Sequence, residues 1–371
     1  MKHLKWRGPI LDMSGYASAA RGYLKSAIAA GVNIQARDMS RSVNLWNKGM
    51  DDEIVSMYAR LSSVDVPKNC PCVQHQVPDC FRPDKNSVLP IGYTIFEMTS
   101  VPRPWVSKCN EMAVIWTGSD YSKRAFVGSG VSVPVEVLPH AIDADLYSPS
   151  ARPWSISNRR AFAFLSVFDF TPRKAWRDLL RAYWTAFRRD EDVCLILKVY
   201  YGGFDAASQV DVLRRIAKYK AELKLGATPP ILVYGHDVPA NMMPGLYRSA
   251  DCYVGVSREG FGLPMAEAMA SGLPCIGPAS GGNREYMTPE NSLLVEHVGD
   301  EPVSKEMVAT YPAFEGLSWS RHSWEHLAVL MRRVFEDDGL RKRLALSGRE
   351  HVKNNLSHEA IGLRMAALLP G

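Results

Sequence analysis

The sequence lacks any run of about 18 uninterrupted apolar residues, which excludes a membrane-spanning helix of ordinary length. Its first residues, MKHLKWRGPILDMSGY, have no apolar core of signal-peptide length. They read as the opening strand of a fold, and a cytoplasmic location is expected. Charge of one sign is also scarce as a block. The net charge is +5, with 16 Lys+Arg against 14 Asp+Glu in residues 1–150 and 28 against 25 in the remainder. Neither half carries the basic footprint of a dedicated nucleic-acid binder; a local basic face for an anionic acceptor or a membrane surface remains open. Short-period repeats and low-complexity tails are absent. Cysteines number seven, an odd count scattered along a long chain, which argues against a disulfide framework and for free thiols in a reducing compartment. One group, Cys70, Cys72, His75 and Cys80 in CPCVQHQVPDC, offers four soft ligands, but its spacing matches no common zinc site and the same residues read as a buried strand between prolines.

What is present is core. Hydrophobic residues make up 46% of the 371 residues and charged residues 22%, enough for about two domains with separate interiors. Apolar strand-like runs at 4–11, 32–38, 71–76, 91–96, 113–117 and 135–139 alternate with helical patterns at 17–30, 51–61 and 121–127. The stretch YSPSARPWSISNRR (147–160) reads as a linker. A second alternation follows, with strands at 161–168, 194–200, 231–234, 252–256 and 274–277 and helices at 175–187, 207–224, 323–336, 340–354 and 358–369. The expected fold class is α/β: two doubly wound, Rossmann-like domains in tandem with a cleft between them. The expected division is 1–150, 151–355, and a terminal helix in 356–371 that packs back on the first domain.

The chemistry concentrates in DCYVGVSREGFGLPMAEAMASGLP. A buried strand runs into a glycine turn, Pro264 suits the first turn of a short helix, and Gly272 closes it. Glu259 then lies in the loop at the strand's carboxyl end and Glu267 about one turn into the helix, leaning back toward that loop. Free N–H groups and the helix dipole favour an anion there, and the two carboxylates suit hydroxyls on either side of a phosphate. The alternative is structural: Glu259 as a cap and Glu267 in a surface ion pair. Arg173 and Lys174 are adjacent cations ahead of a helix, able to neutralise a departing phosphate or simply to mark an exposed helix start.

The run VSREGFGLPMAEAMASGLPCIGPASGGNREYM resembles the signature of family 4 retaining glycosyltransferases, which have the GT-B fold. The resemblance extends to VLPHAIDADLYSP, FDFTPRKAWRDLLRAY, YGHDVPANMMPGLYRSADCYVGVSREG and SGYASAARGYLKSAIAAG, and so is spread over nearly the whole chain. It implies that Glu267 binds the donor ribose and Glu259 the transferred sugar. The backbone N–H groups of Phe261, Gly262 and Leu263 would face sugar and diphosphate. Lys174 with Arg173 would hold the leaving group, Gly15 would let the acceptor-domain loop approach the diphosphate, and Gly235 and His140 would lie in donor-binding segments. No cofactor or metal is implied beyond a nucleotide diphosphate-sugar substrate, and Asp143-x-Asp145 falls in the hinge segment rather than in a metal motif.

The sequence departs from the family in places. Phe96-Glu97 stands where a histidine is common, which makes Glu97 and His75 alternative polar groups for the reaction centre. Ser166-Val167-Phe168 replaces the usual Gly-Arg, so one phosphate-binding arginine is absent or supplied by Arg173. Ala141 replaces a hinge glycine. The implied reaction is metal-independent, front-face transfer of a sugar to an acceptor hydroxyl with retention. Its rivals are another GT-B enzyme, such as an epimerase or phosphorylase, and a non-catalytic nucleotide-sugar- or glycan-binding protein. The acceptor stays open among glycan, lipid, protein, modified nucleic acid and small molecule. Trp6, Trp46, Arg103 and Trp105 are either acceptor contacts or packing.

Overall fold

The computed structural model describes residues 1–40 and 51–370. Two compact units divide the chain, Met1–Asp143 with Lys353–Gly371, and Ala144–Val352. The first unit is built on six strands: β1 (His3–Gly8), β2 (Asn33–Asp38), β3 (Cys72–His75), β4 (Pro90–Tyr93), β5 (Val114–Thr117) and β6 (Val135–Val137). They form one sheet in the order β2-β1-β3-β4-β5-β6, parallel throughout. Parallel strands covered on both faces must be apolar on both, and β3 and β5 are buried at every position. The helix Gly15–Ala29 starts where Ser14 accepts the Ala17 N–H, and it presents Ala17, Ala20, Tyr23, Leu24 and Ala27 to the interior. Gly31, with φ +68°, takes the chain out of it.

The second unit repeats the plan. Strands β7 (Phe162–Asp169), β8 (Val193–Tyr200), β9 (Ile231–Tyr234), β10 (Cys252–Val254), β11 (Cys275–Pro278) and β12 (Leu293–Val295) make a parallel sheet in the order β12-β11-β10-β7-β8-β9. One face of β7 and β8 packs on the helices Trp176–Ala186 and Trp324–Glu336 through Phe164, Leu179, Tyr183, Leu195, Leu197 and Met331. A two-stranded antiparallel ribbon, β13 (His297–Pro302) and β14 (Ser318–His322), is added after β12.

Sequence and structure differ in several respects, among them the strand Leu293–Val295 and the helices Met243–Tyr247 and Lys305–Thr310, which were not expected. The helix Arg103–Asn110 was not expected, because two prolines stand in its approach; Pro104 sits in its first turn, where no N–H is needed. The ribbon was missed because β13 is polar and mostly exposed. The stretch 147–160 is no free linker. Pro149 lies against Gly272, the Tyr147 carbonyl accepts from Arg349 at 3.1 Å, and the Trp154 N–H donates to Ser249 Oγ at 2.7 Å. These contacts draw the stretch into the second unit, and the division falls after Asp143. Among the described residues no helix is long and apolar enough to cross a membrane.

The helix His358–Leu368 packs on Gly15–Ala29 within the first unit. Gly362 makes that approach close: a Cβ there would stand 2.2 Å from the Ser26 carbonyl oxygen. Gly362→Ala is expected to destabilise the protein by about 1–3 kcal/mol through overpacking, read as a lower urea midpoint with unchanged slope.

Candidate active site

The carboxyl end of β7 leads through Thr171 into a single 3-10 turn, Pro172–Lys174, and then the helix Trp176–Ala186. The turn is joined to the helix by Ala175 in the left-handed region, φ 49° and ψ 32°. This geometry turns both Arg173 and Lys174 toward the loop that leaves β10. Lys174 Nζ lies 2.5 Å from Glu259 Oε1, and Arg173 Nη1 donates to Glu259 Oε2 at 2.9 Å. Asp169, the last residue of β7, completes the group at 3.2 Å from Lys174 and 3.7 Å from Arg173, and accepts from Thr171 Oγ1 at 3.0 Å. Burial pushes the Glu259 and Asp169 carboxyls up, but the two cations outweigh it and both end below their ordinary values. The sign follows: this contribution to stability is present above the ordinary carboxylate range and is lost as pH falls through the depressed values.

The loop itself is fixed on two sides. The Arg258 N–H donates to the Arg173 carbonyl at 3.1 Å, and Arg173 Nη1 returns a bond to the Arg258 carbonyl at 2.7 Å. On the other side the Gly282 N–H donates to the Glu259 carbonyl at 2.8 Å. A Cβ on Gly282 would fall 1.9 Å from the Gly260 oxygen, so only glycine permits this contact. Beneath the loop Arg258 is buried. Its guanidinium donates to the carbonyls of Ser320 (3.0 Å) and Pro172 (3.1 Å) and to Glu301, and it stacks 4.7 Å from the Trp319 ring. Trp319 Nε1 donates to the same Glu301 oxygen at 3.0 Å. The ribbon β13–β14 thereby grips the loop and the cation turn through one side chain.

Gly262, at φ +93°, is the N-cap of the helix Leu263–Ala270, with Pro264 in its first turn. The Phe261 side chain is buried against Tyr286, whose hydroxyl donates to the Phe261 and Gly262 carbonyls at 3.1 and 2.6 Å. Glu267 accepts the Tyr247 hydroxyl at 2.7 Å and is also hydrogen-bonded by Tyr147. Burial raises its carboxyl above the ordinary value against those two bonds. Gly235 directly follows β9, where a Cβ would touch the Gln209 side chain.

The residues expected from the first unit gather separately, at the carboxyl ends of its strands. His75 ends β3 and is 1% exposed, its ring among Trp6, Tyr16, Tyr23 and Tyr93. Its Nδ1 is buried with no hydrogen-bond partner among the described residues. Burial, then the neighbouring His140, hold it neutral, well below the usual histidine value. His140 Nδ1 meets the hydroxyls of Tyr23 (2.9 Å) and Tyr93 (3.2 Å), and burial lowers its pKa to about 3. Gly15 opens the helix beside Tyr16 with open space around it, and Glu97 is half-buried on the loop beyond β4, its charge felt by the Tyr16 hydroxyl. Trp6 and Trp105 are packing residues, 0% and 7% exposed, and Trp105 Nε1 donates to Asp79 at 2.9 Å. Arg103 is exposed, and Trp46 lies outside the described residues. Among the described residues no group of three or more His, Cys, Asp or Glu is arranged to hold a metal ion.

Asp169, Arg258, Glu301, Tyr147 and Tyr247 were not anticipated. Asp169 alone left a trace, an acid at a strand end five residues before Lys174.

Residues 159–309 match the family of group 1 glycosyl transferases. That segment holds Arg173, Lys174, Glu259 and Glu267. The chain is 25% identical over 275 residues to the GDP-mannose-dependent monoacylated alpha-(1-6)-phosphatidylinositol monomannoside mannosyltransferase of Corynebacterium glutamicum, covering 70% of this chain and 62% of that protein. It is 30% identical over 236 residues to the D-inositol 3-phosphate glycosyltransferase of Salinispora arenicola, covering 59% and 46%. The chain thus spans between 46% and 62% of the length of these curated relatives. Among solved structures, sucrose-phosphate synthase from Thermosynechococcus elongatus is similar at TM-score 0.64 and 16% identity, over 99% of this chain and 98% of the other. Anabaena HepE in complex with UDP-glucose is similar at TM-score 0.62 and 15% identity, over 99% of each. These likenesses cover both units and show the fold, the paired Rossmann-like units of the GT-B class.

Arg258→Met would leave Glu301 without its cation and three polar contacts unmade. A loss of about 1–3 kcal/mol is expected from the buried carbonyls left without their donor, measured by urea unfolding of the purified protein.

Proposed function

We propose that this chain is a retaining glycosyltransferase that moves a sugar from a nucleotide diphosphate-sugar to an acceptor hydroxyl. The observation that carries the reading is the convergence of Arg173 and Lys174 on Glu259 at the carboxyl end of a doubly wound sheet, where such folds bind ligands. The match to the group 1 family over that segment supports it, as do relatives whose names are those of glycosyl-transferring enzymes.

In this reading the C1–O bond to the donor diphosphate breaks as the acceptor oxygen bonds to C1 on the same face. The acceptor proton passes to the leaving phosphate oxygen. Lys174 and Arg173 stabilise the charge that builds on that oxygen. Glu259 orients them and meets the sugar hydroxyls, while Glu267 takes the ribose hydroxyls in place of a tyrosine hydroxyl. Backbone N–H groups at Phe261–Leu263 face the sugar and diphosphate. The first unit supplies the acceptor side, with Glu97 and His75 as the alternative polar groups at the reaction centre, while its Gly15 lets the loop approach the donor diphosphate and His140 lies in a donor-binding segment. GDP-mannose and UDP-glucose, which occur in the names of the relatives and neighbours, are the donors to test first. The acceptor is a hydroxyl of a glycan, lipid, protein, modified nucleic acid or small molecule.

The test is release of nucleoside diphosphate from a donor panel, with and without candidate acceptors, followed by mass spectrometry of the product. Lys174→Ala and Glu267→Ala should each lower transfer by about 100-fold or more while both proteins melt cooperatively. Near-wild-type turnover in both variants would sink the assignment, and donor binding without turnover in the parent would favour a non-catalytic binding protein.

A further inference from the structure

Lys198 is a mostly buried lysine near a strand end of the second unit that makes no ion pair among the described residues. It lies near the end of β8, in register with Val167 of β7 and with Tyr234, the last residue of β9. Only 6% of it is exposed. No carboxylate stands within ion-pair distance and no hydrogen bond reaches it among the described residues; its ammonium has the Phe204 ring at 5.2 Å. A lysine this withdrawn from water with no ion pair normally shifts its pKa or finds a partner. Burial lowers this one to about 8, with only the carboxylate of Asp237 acting the other way.

Its position gives the partner's chemistry. Tyr200, two residues along β8 and therefore on the same face, is pushed up to about 12 by burial and by the charges of Asp169 and Glu259, against Arg173. The row Lys198–Tyr200 thus borders the four-charge group at the end of β7. That group is internally neutral, two cations against two carboxylates. A diphosphate entering there meets no net positive charge from it. Lys198 adds a positive charge held in no ion pair among the described residues, and Gly235 follows its register partner Tyr234 directly.

Building on the donor reading above, we propose that Lys198 is a phosphate-binding residue for the nucleoside diphosphate, taking the place of the cation that β7 does not supply. The ligand is an anionic phosphate oxygen.

Calorimetric titration of UDP, GDP and ADP into the wild type and Lys198→Met tests this, with the matching nucleosides followed by ligand-observed NMR. The diphosphate that binds the wild type should bind the variant at least 10-fold more weakly, with nucleoside affinity unchanged. The melting temperature should hold or rise, because a lysine without an ion pair has been replaced by an apolar chain of similar length. Unchanged diphosphate affinity would overturn the inference alone. An equal loss for the nucleoside would move the contact to base or ribose and overturn it. A lowered melting temperature would make Lys198 structural and overturn it. A wild type that binds none of the three diphosphates would overturn the donor reading itself.

Discussion

Two cations and two carboxylates held within 4 Å of one another are the constraint around which the second unit is arranged. Each charge is mostly withdrawn from water, so each depends on the others for its ionised state. Glu259 and Asp169 stay below their ordinary values only because Lys174 and Arg173 stand beside them. The group comes from two separate strand ends, and neither end positions its charges alone. The main-chain bonds between Arg173 and Arg258 hold the two ends in register.

Arg258 extends this dependence outward. It connects the cation turn, the glycine loop and the ribbon β13–β14 through one buried guanidinium. A rigid planar fork of donors meets these acceptors in one fixed geometry, which the rotating ammonium of a lysine does not impose. The ribbon, polar and largely exposed by sequence, is therefore part of the support of the strand-end group. On the opposite side, Gly282 lets the following loop press against Gly260 with nothing between them. The glycine loop is a clamped element rather than a flexible one.

Much of this was legible in the amino-acid order. Apolar runs such as FAFLSVF and CLILKVY, bounded by turn residues, are hard to read as anything but buried parallel strands. Glu259 and Glu267 announced themselves through the glycine turn and Pro264 between them. What escaped was tertiary. Nothing local marks Glu301 as the partner of Arg258, since β13 has no apolar alternation to reveal it. Tyr147 sits in a proline- and serine-rich stretch whose composition suggests a linker, yet it hydrogen-bonds Glu267. The aromatic ring about His75 is built from the helix Gly15–Ala29 and the strands β1 and β4, and only the folded sheet brings those rings within 4.6–5.5 Å of His75 for Tyr93, Tyr16 and Trp6.

Ala175 carries a last consequence. A non-glycine residue in the left-handed region costs about 1–2 kcal/mol, and here it sits immediately after the two cations. Nothing in a Lys-Ala-Trp sequence favours that conformation. It persists because Phe170 and Trp176 stack on either side of the turn at 4.5 Å between rings, and because the neighbouring loop is bonded to it. The direction in which Lys174 points is thus a property of the assembled unit and not of its own segment. A peptide spanning this turn, cut free of the sheet, would relax to right-handed geometry and carry its lysine away from where the intact protein holds it.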